Sequence, residues 1–313
     1  MIAIRAIASY VPEGFEDNLA KLGKFSIDRT FLDRKIGVER VARKGKDEET
    51  SDMCVRAFRT LTKRHRVAAK NVDFMMVVTQ TPDGFGLPQV SAIVHGKLGL
   101  PDECASFDLS LACSGYVYGL SVAKSFMEAN GLKTGLLFTC DPYSKIIDPD
   151  DKNTALLFGD AATVTLLGEP RAGEAVWEPS GFLFTTHGRH VDAVHNKSGK
   201  FSMDGQAVVV FTMRTVPGQV RKVLDRAGLS VANVDLFVFH QGSKYIVDQL
   251  ADRLGIPRDK APIDIVRHGN TVSSSIPLMF ERYLDKQSVR RAVFNGFGVG
   301  LSVGTCLVNR LNT

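Results

Sequence analysis

Short apolar runs alternate with stretches of helical spacing along the whole chain. Residues 72–78 (Val-Asp-Phe-Met-Met-Val-Val) and 234–239 (Val-Asp-Leu-Phe-Val-Phe) are nearly continuous apolar runs, which predicts strands covered on both faces. Residues 136–139 and 291–294 predict two more. Apolar positions recur at helical spacing over 51–65, 91–98, 115–130, 217–227, 245–254 and 275–284. This alternation predicts parallel strands joined by crossover helices, an α/β fold.

The order of elements repeats. A helix leads into VDFMMVVTQT, then a helix ending KLGLP, then DLSLACSGYVYGL, a further helix and the strand TGLLFTCD. Later a helix leads into VDLFVFHQGS, a helix ending RLGIP, DIVRHGNTVSSSIPL, a helix and RRAVFNGFGVG. An internal duplication with a period near 160 residues accounts for both series. The expected division is 1–170 and 171–313, with residues 168–202 as connecting strands and loops. Ligands of α/β sheets bind near the carboxyl ends of strands. Those ends carry Cys113, His240 and Asn270, and the repeat should bring them together.

Composition narrows the class without changing this picture. The 313 residues are 44% hydrophobic and 23% charged, which excludes wholesale disorder, collagen and coiled coil. A net charge of +5 suits an acidic partner but is too dilute to point to nucleic acid. Five widely spaced cysteines without a C-x-x-C pair argue against a disulfide framework or structural zinc. The start lacks the pattern of a signal peptide, and no apolar run is long enough for a membrane span, so the expectation is a soluble, cytoplasmic protein.

Each candidate residue is ordinary alone. Most cysteines are small buried hydrophobes. A histidine ending an apolar strand is often a satisfied core residue, and an asparagine after glycine is often a turn residue. Position lifts them. Cys113, just ahead of a helix, should feel the positive end of its dipole, which favours the thiolate. A thiolate can carry an acyl group as a thioester. A neutral imidazole and an amide N–H can then stabilise an enolate without supplying a strong base.

The motifs LACSGYVYGL, LLFGDAATVTLL, FHQGS, HGNTVSSSIP and NGFGVGLSVGTCLV, in this order from Ile4 to Val308, resemble those of β-ketoacyl-acyl-carrier-protein synthase III, in the thiolase-like superfamily. The resemblance implies a duplicated five-layer α-β-α-β-α fold, a homodimer and a Cys113-His240-Asn270 triad. It implies acyl-coenzyme A or acyl carrier protein as substrate, with no metal or bound cofactor. Backbone N–H groups of Cys113 and Gly300 would form the oxyanion hole. The implied reaction is acyl loading on Cys113, then decarboxylative condensation with a malonyl-type thioester. The alternative within the family is acyl transfer to an amine, hydroxyl or small carbon nucleophile.

Departures from the family pattern fall at the substrate positions. Leu87, before Pro88, stands where the dimer-crossing residue is often aromatic, suggesting room for a longer or branched acyl group. Phe31, Lys35, Lys152, Ser243 and Lys244 are the candidates at the coenzyme A entrance, where a tryptophan, Asp-Arg-Gly-Thr and Gln-Ala-Asn-x-Arg are common. Lysine is a point charge and does not reproduce bidentate arginine binding to phosphate. The helix expected to meet a carrier is apolar from Ala207 to Met213, leaving Arg214, Arg221 and Lys222 for an acidic partner. Lys63-Arg64-His65-Arg66 reads as a solvated helix end, and His187, His190 and His195 as loop histidines or an entrance lining.

Overall fold

The computed structural model describes residues 1–197 and 199–312. β1 (Ala3–Tyr10) is followed by two short paired strands, β2 (Phe15–Asp17) and β3 (Arg40–Ala42), with α1 (Leu22–Phe25) and α2 (Arg29–Phe31) between them. Next come α3 (Thr50–Arg64), β4 (Phe74–Val78), α4 (Val90–Leu98), β5 (Ala105–Leu109), α5 (Gly115–Asn130), β6 (Thr134–Cys140), α6 (Lys152–Ala155) and β7 (Ala162–Gly168). The later series is β8 (Ala175–Thr186), the antiparallel pair β9 (Val194–Lys197) and β10 (Lys200–Met203), α7 (Gly205–Arg226), β11 (Leu236–Phe239), α8 (Lys244–Leu254), α9 (Ser275–Phe280), β12 (Arg291–Gly298) and β13 (Ser302–Asn312).

The strands run in the order β5-β4-β6-β7-β1 and β11-β12-β13-β8. A single residue pair, Ile4 with Trp177, joins β1 to β8. β4 lies parallel to β5 and β6, and β11 parallel to β12, as the crossover helices require. Three cores separate five layers. α3 and α4 pack through Met53, Cys54, Val90 and Val94 on one face of the first set of strands. α7 and α8 pack through Phe211, Val220, Val247 and Leu250 on the outer face of the second. Between the two sets lie α5 and α9, whose Tyr116, Leu120, Ile276 and Phe280 share one core with Met76, Leu137, Val238 and Phe294.

Bonds at equivalent positions bear out the reading of a repeat in the motifs. The Asp73 carboxylate accepts the N–H groups of Lys133 and Thr134, both at 2.9 Å. The Asp235 carboxylate accepts those of Arg290 and Arg291 at 2.8 and 2.9 Å. Each aspartate thus ties the start of one strand to the start of its neighbour. α4 and α8 both end on a left-handed glycine, Gly99 (φ 61°) and Gly255 (φ 68°), where a side chain would be strained.

Three elements differ from the sequence expectation. α7 begins at Gly205, capped by the Asp204 side chain, and carries Pro217 in its interior. Proline lacks an N–H and more often starts a helix, which is why the pattern placed the start there. α9 stops at Phe280 and continues as a 3-10 turn, Glu281–Tyr283. Residues 261–269, which stand where β5 lies in the first series, form no strand. That irregular stretch leads directly to Asn270.

Candidate active site

Cys113, His240 and Asn270, 157 residues apart in sequence at the extremes, line one cavity of about 670 Å³. Cys113 lies in the turn between β5 and α5, one residue before the Ser114 N-cap. β12 approaches this turn closely. A Cβ on Gly298 would stand 2.8 Å from Cys113 Sγ, and one on Gly296 would stand 2.7 Å from the Cys113 carbonyl oxygen. Only glycine fits at either position.

Burial pushes the Cys113 thiol up to about 12, and the field of the buried Asp141 carboxylate acts in the same direction. The backbone N–H groups of Val299 and of Cys113 itself reach the sulfur and favour the thiolate. The expected lowering by the helix terminus is therefore outweighed, because water is excluded from the sulfur. The Val299 N–H, one residue before the expected oxyanion donor Gly300, is a backbone donor that reaches the sulfur. Val299 lines the cavity and its N–H faces the sulfur. Gly300 does not line the cavity, and its Cα faces Ser302 instead. Ser302 Oγ donates to the Val299 carbonyl at 2.8 Å and meets Ser114 Oγ at 2.7 Å, tying this turn to the start of α5.

His240 follows β11, and its N–H donates to the Asn295 carbonyl at 2.8 Å. The Ser275 hydroxyl lies 2.7 Å from His240 Nδ1 and 3.0 Å from the Val272 carbonyl oxygen. The Ser275 hydroxyl thus occupies Nδ1, and Nε2 is the nitrogen left for the cavity. Burial lowers the His240 pKa to about 3 against the opposing pull of the Val272 carbonyl, so the ring is neutral at physiological pH.

Asn270 is pinned by the other half of the chain. Its N–H donates to the Leu157 carbonyl at 2.8 Å, and its carbonyl accepts the Gly159 N–H at 3.0 Å. Asn270 Oδ1 accepts the Val272 N–H at 2.9 Å, which leaves the Nδ2 protons for a ligand. Behind this loop, Asp141 at the end of β6 is fully buried and accepts the Ser273 hydroxyl and the Gln80 N–H (2.6 Å). Burial raises its pKa to about 6 despite those bonds.

Among the expected substrate residues, Phe31, Lys35 and Ser243 line the cavity. Lys152 Nζ stands 5.7 Å from the Phe31 ring centre, and Lys35 Nζ 4.7 Å from that of Tyr245. Lys244 is directed elsewhere, paired with Asp248 at 2.9 Å and packed over Gly37. Leu87 is 93% exposed on a loop and touches no part of this cavity within one chain. His187 and His190 are 6.3 Å apart beside Phe211, whereas His195 lines a different cavity. Among the described residues no group of three or more His, Cys, Asp or Glu could hold a metal ion.

The sequence reading missed Tyr143, Phe158 and Phe201, whose rings pack mutually at 5.0 to 5.6 Å beside Cys113. Asp141 and the α7 positions Val208 and Val209, which line the cavity, were missed as well. The apolar run from Ala207 to Met213 is thereby partly explained. It is cavity wall on one side and core at Phe211 and Met213 on the other, leaving Val210 as its exposed apolar position.

Family models for 3-oxoacyl-[acyl-carrier-protein] synthase III match residues 107–180, and for its C-terminal part residues 224–310. A β-ketoacyl-[acyl-carrier-protein] synthase III of Lactobacillus helveticus is 31% identical over 97% of both chains, and that of Staphylococcus saprophyticus is equally similar. A crystal structure of a 3-oxoacyl-(acyl-carrier-protein) synthase III superposes with a TM-score of 0.90 at 32% identity, covering 98% of this chain and 99% of the other. The Thermus thermophilus enzyme superposes with a TM-score of 0.91 at 28% identity, covering 99% of this chain and 100% of the other. With the thiolase-like fold, the convergent Cys, His and Asn, and likeness over nearly the full length, the chain belongs to the 3-oxoacyl-[acyl-carrier-protein] synthase III family.

Proposed function

We propose that the protein is a condensing enzyme that loads an acyl group on Cys113 and extends it with a malonyl thioester. The observation that carries this reading is the pairing of a neutral His240 with an Asn270 amide at one cavity with Cys113. The Cys113 sulfur attacks the thioester carbonyl of an acyl donor, and the tetrahedral oxyanion is held by the N–H groups of Cys113 and Val299. The donor thiol departs, taking overall the proton that Cys113 loses. A malonyl thioester then loses its carboxylate as CO2. The electron pair left behind forms an enolate, whose oxygen accepts from His240 Nε2–H and Asn270 Nδ2–H. The enolate carbon attacks the Cys113 thioester carbonyl, and expulsion of the sulfur yields the β-ketoacyl product and the Cys113 thiolate, which takes up one proton from water to restore the thiol.

Transfer to an amine or hydroxyl would call for a base to take its proton, and a histidine with a pKa near 3 is a weak one. The family relationship points the same way. Phe31, Tyr245 and Ser243 at the cavity mouth suit the pantetheine arm of coenzyme A, with Lys35 and Lys152 near its phosphates. Exposed Arg214, Arg221 and Lys222 on α7 suit an acidic carrier protein. The exposed Phe85 and Leu87 on one loop support a homodimer, since isolated loops seldom leave two large apolar side chains in water. The test is intact mass after incubation with acyl-coenzyme A donors. A mass gain of one acyl group that is absent in Cys113→Ala is expected; no gain from any coenzyme A or carrier-bound donor would overturn the reading.

A further inference from the structure

The fully buried Asp141 carboxylate has no place in the chemistry above, and it forms no ion pair among the described residues. Buried charges are ordinarily paired, so an unpaired one points to a role that its hydrogen bonds must explain. Those bonds come from both halves of the chain. The Gln80 N–H at 2.6 Å and the Thr79 hydroxyl reach Asp141 from just after β4. The Ser273 hydroxyl and N–H reach it from the loop that carries Asn270. Hydrogen bonds to an ionised carboxylate are stronger than those between neutral groups, which makes this a firm clamp on Ser273.

What the clamp holds lies one residue away. Val272 has a φ of +53°, a conformation that persists only where the surroundings fix it. Both enolate donors lean on this residue. Its N–H goes to Asn270 Oδ1 at 2.9 Å. Its carbonyl oxygen lies 3.0 Å from the Ser275 hydroxyl, which also meets His240 Nδ1 at 2.7 Å. Cys113 stands on a separate turn, after β5. Resting on the reading of Asn270 and His240 as enolate donors, we propose that Asp141 is a positioning residue for the decarboxylating step: by holding Ser273 it fixes the Val272 backbone that aims both donors. Acyl loading does not depend on this clamp. The Asp141 charge opposes a thiolate at Cys113, so its removal does not slow loading.

The test measures acylation of Cys113 and CO2 release from a malonyl thioester separately, in the full-length protein. Asp141→Ala should slow CO2 release about 10- to 100-fold, the cost of donors displaced by about 1 Å or less, with acylation no slower than in the parent. Ser273→Ala removes the hydroxyl bond and keeps the carboxylate. It should act in the same direction by a smaller factor, and it decides the matter if Asp141→Ala does not fold. The double variant should match Asp141→Ala within about twofold, because both changes break one clamp. CO2 release within about twofold of the parent in both single variants would overturn the proposal. Equal loss of acylation and CO2 release, or losses that multiply in the double variant, would also overturn it. Asn270→Ala separates this proposal from the reading beneath it. Slow CO2 release in Asn270→Ala with normal release in Asp141→Ala and Ser273→Ala removes the proposal alone. Normal release in Asn270→Ala removes the reading as well.

Discussion

The Val272 N–H donates to Asn270 Oδ1 at 2.9 Å, from a residue whose φ of +53° is rare for a β-branched side chain. That bond settles which end of the amide is oxygen and leaves the Nδ2 protons without a hydrogen bond among the described residues. The unusual backbone is held on both sides, by Asp141 on Ser273 and by the Leu157 carbonyl on Asn270. Asn270→Ala should therefore load an acyl group at close to the normal rate but slow decarboxylation about 10²- to 10³-fold, the usual cost of one lost oxyanion donor. Separate assays of Cys113 acylation and CO2 release read the two steps.

Gly298→Ala probes the other wall. Its Cβ would overlap both Cβ (2.7 Å) and Sγ (2.8 Å) of Cys113, so sulfur and β12 must part. Acylation should fall at least about 100-fold through loss of alignment, with the unfolding midpoint far less affected. Equal acylation rates for variant and parent would show that the sulfur does not sit where β12 confines it.

The pH dependence of stability has two opposed contributions inside the site. His240 is lowered from 6.5 to about 3, so between those values the unfolded chain binds a proton that the folded one does not, and stability rises with pH. Asp141 is raised from 3.8 to about 6, so over that interval the folded chain holds the extra proton, and stability falls as pH rises. The two nearly cancel from pH 4 to 6. Removing one exposes the other: Asp141→Asn should gain a slope of about +1.4 kcal/mol per pH unit relative to the parent, and His240→Gln a slope of about the same size and opposite sign. Urea denaturation at several pH values measures both.

The fold was legible in particular residues. The repeated Val-Asp ahead of β4 and β11 and the glycines after α4 and α8 are visible in the sequence, and each does the same job in both halves. Asp73→Ala and Asp235→Ala should each cost about 1–3 kcal/mol in urea denaturation, because each strands two backbone donors. What the sequence hid has physical causes. The state of Cys113 depends on burial, which motif spacing does not report. The Val299 N–H reaches the Cys113 sulfur one residue ahead of the expected Gly300, and a glycine-rich run shows where backbone comes close but not which N–H points inward. Tyr143, Phe158 and Phe201 come from three separated segments and meet only through the fold.

Phe85 and Leu87 give the assembly prediction. Light scattering coupled to size exclusion should show a dimer of the 34.2 kDa chain, and Phe85→Asp with Leu87→Asp should yield a folded monomer. A monomeric parent protein would remove the proposed homodimer.

The most direct test of the central claim is a single turnover of acylated enzyme with malonyl carrier protein labelled in its free carboxyl carbon. Release of one labelled CO2 for each acyl group lost from Cys113, with matching β-ketoacyl product, is the predicted result. Loss of the acyl group without labelled CO2, to water or to an added amine or alcohol, would contradict it.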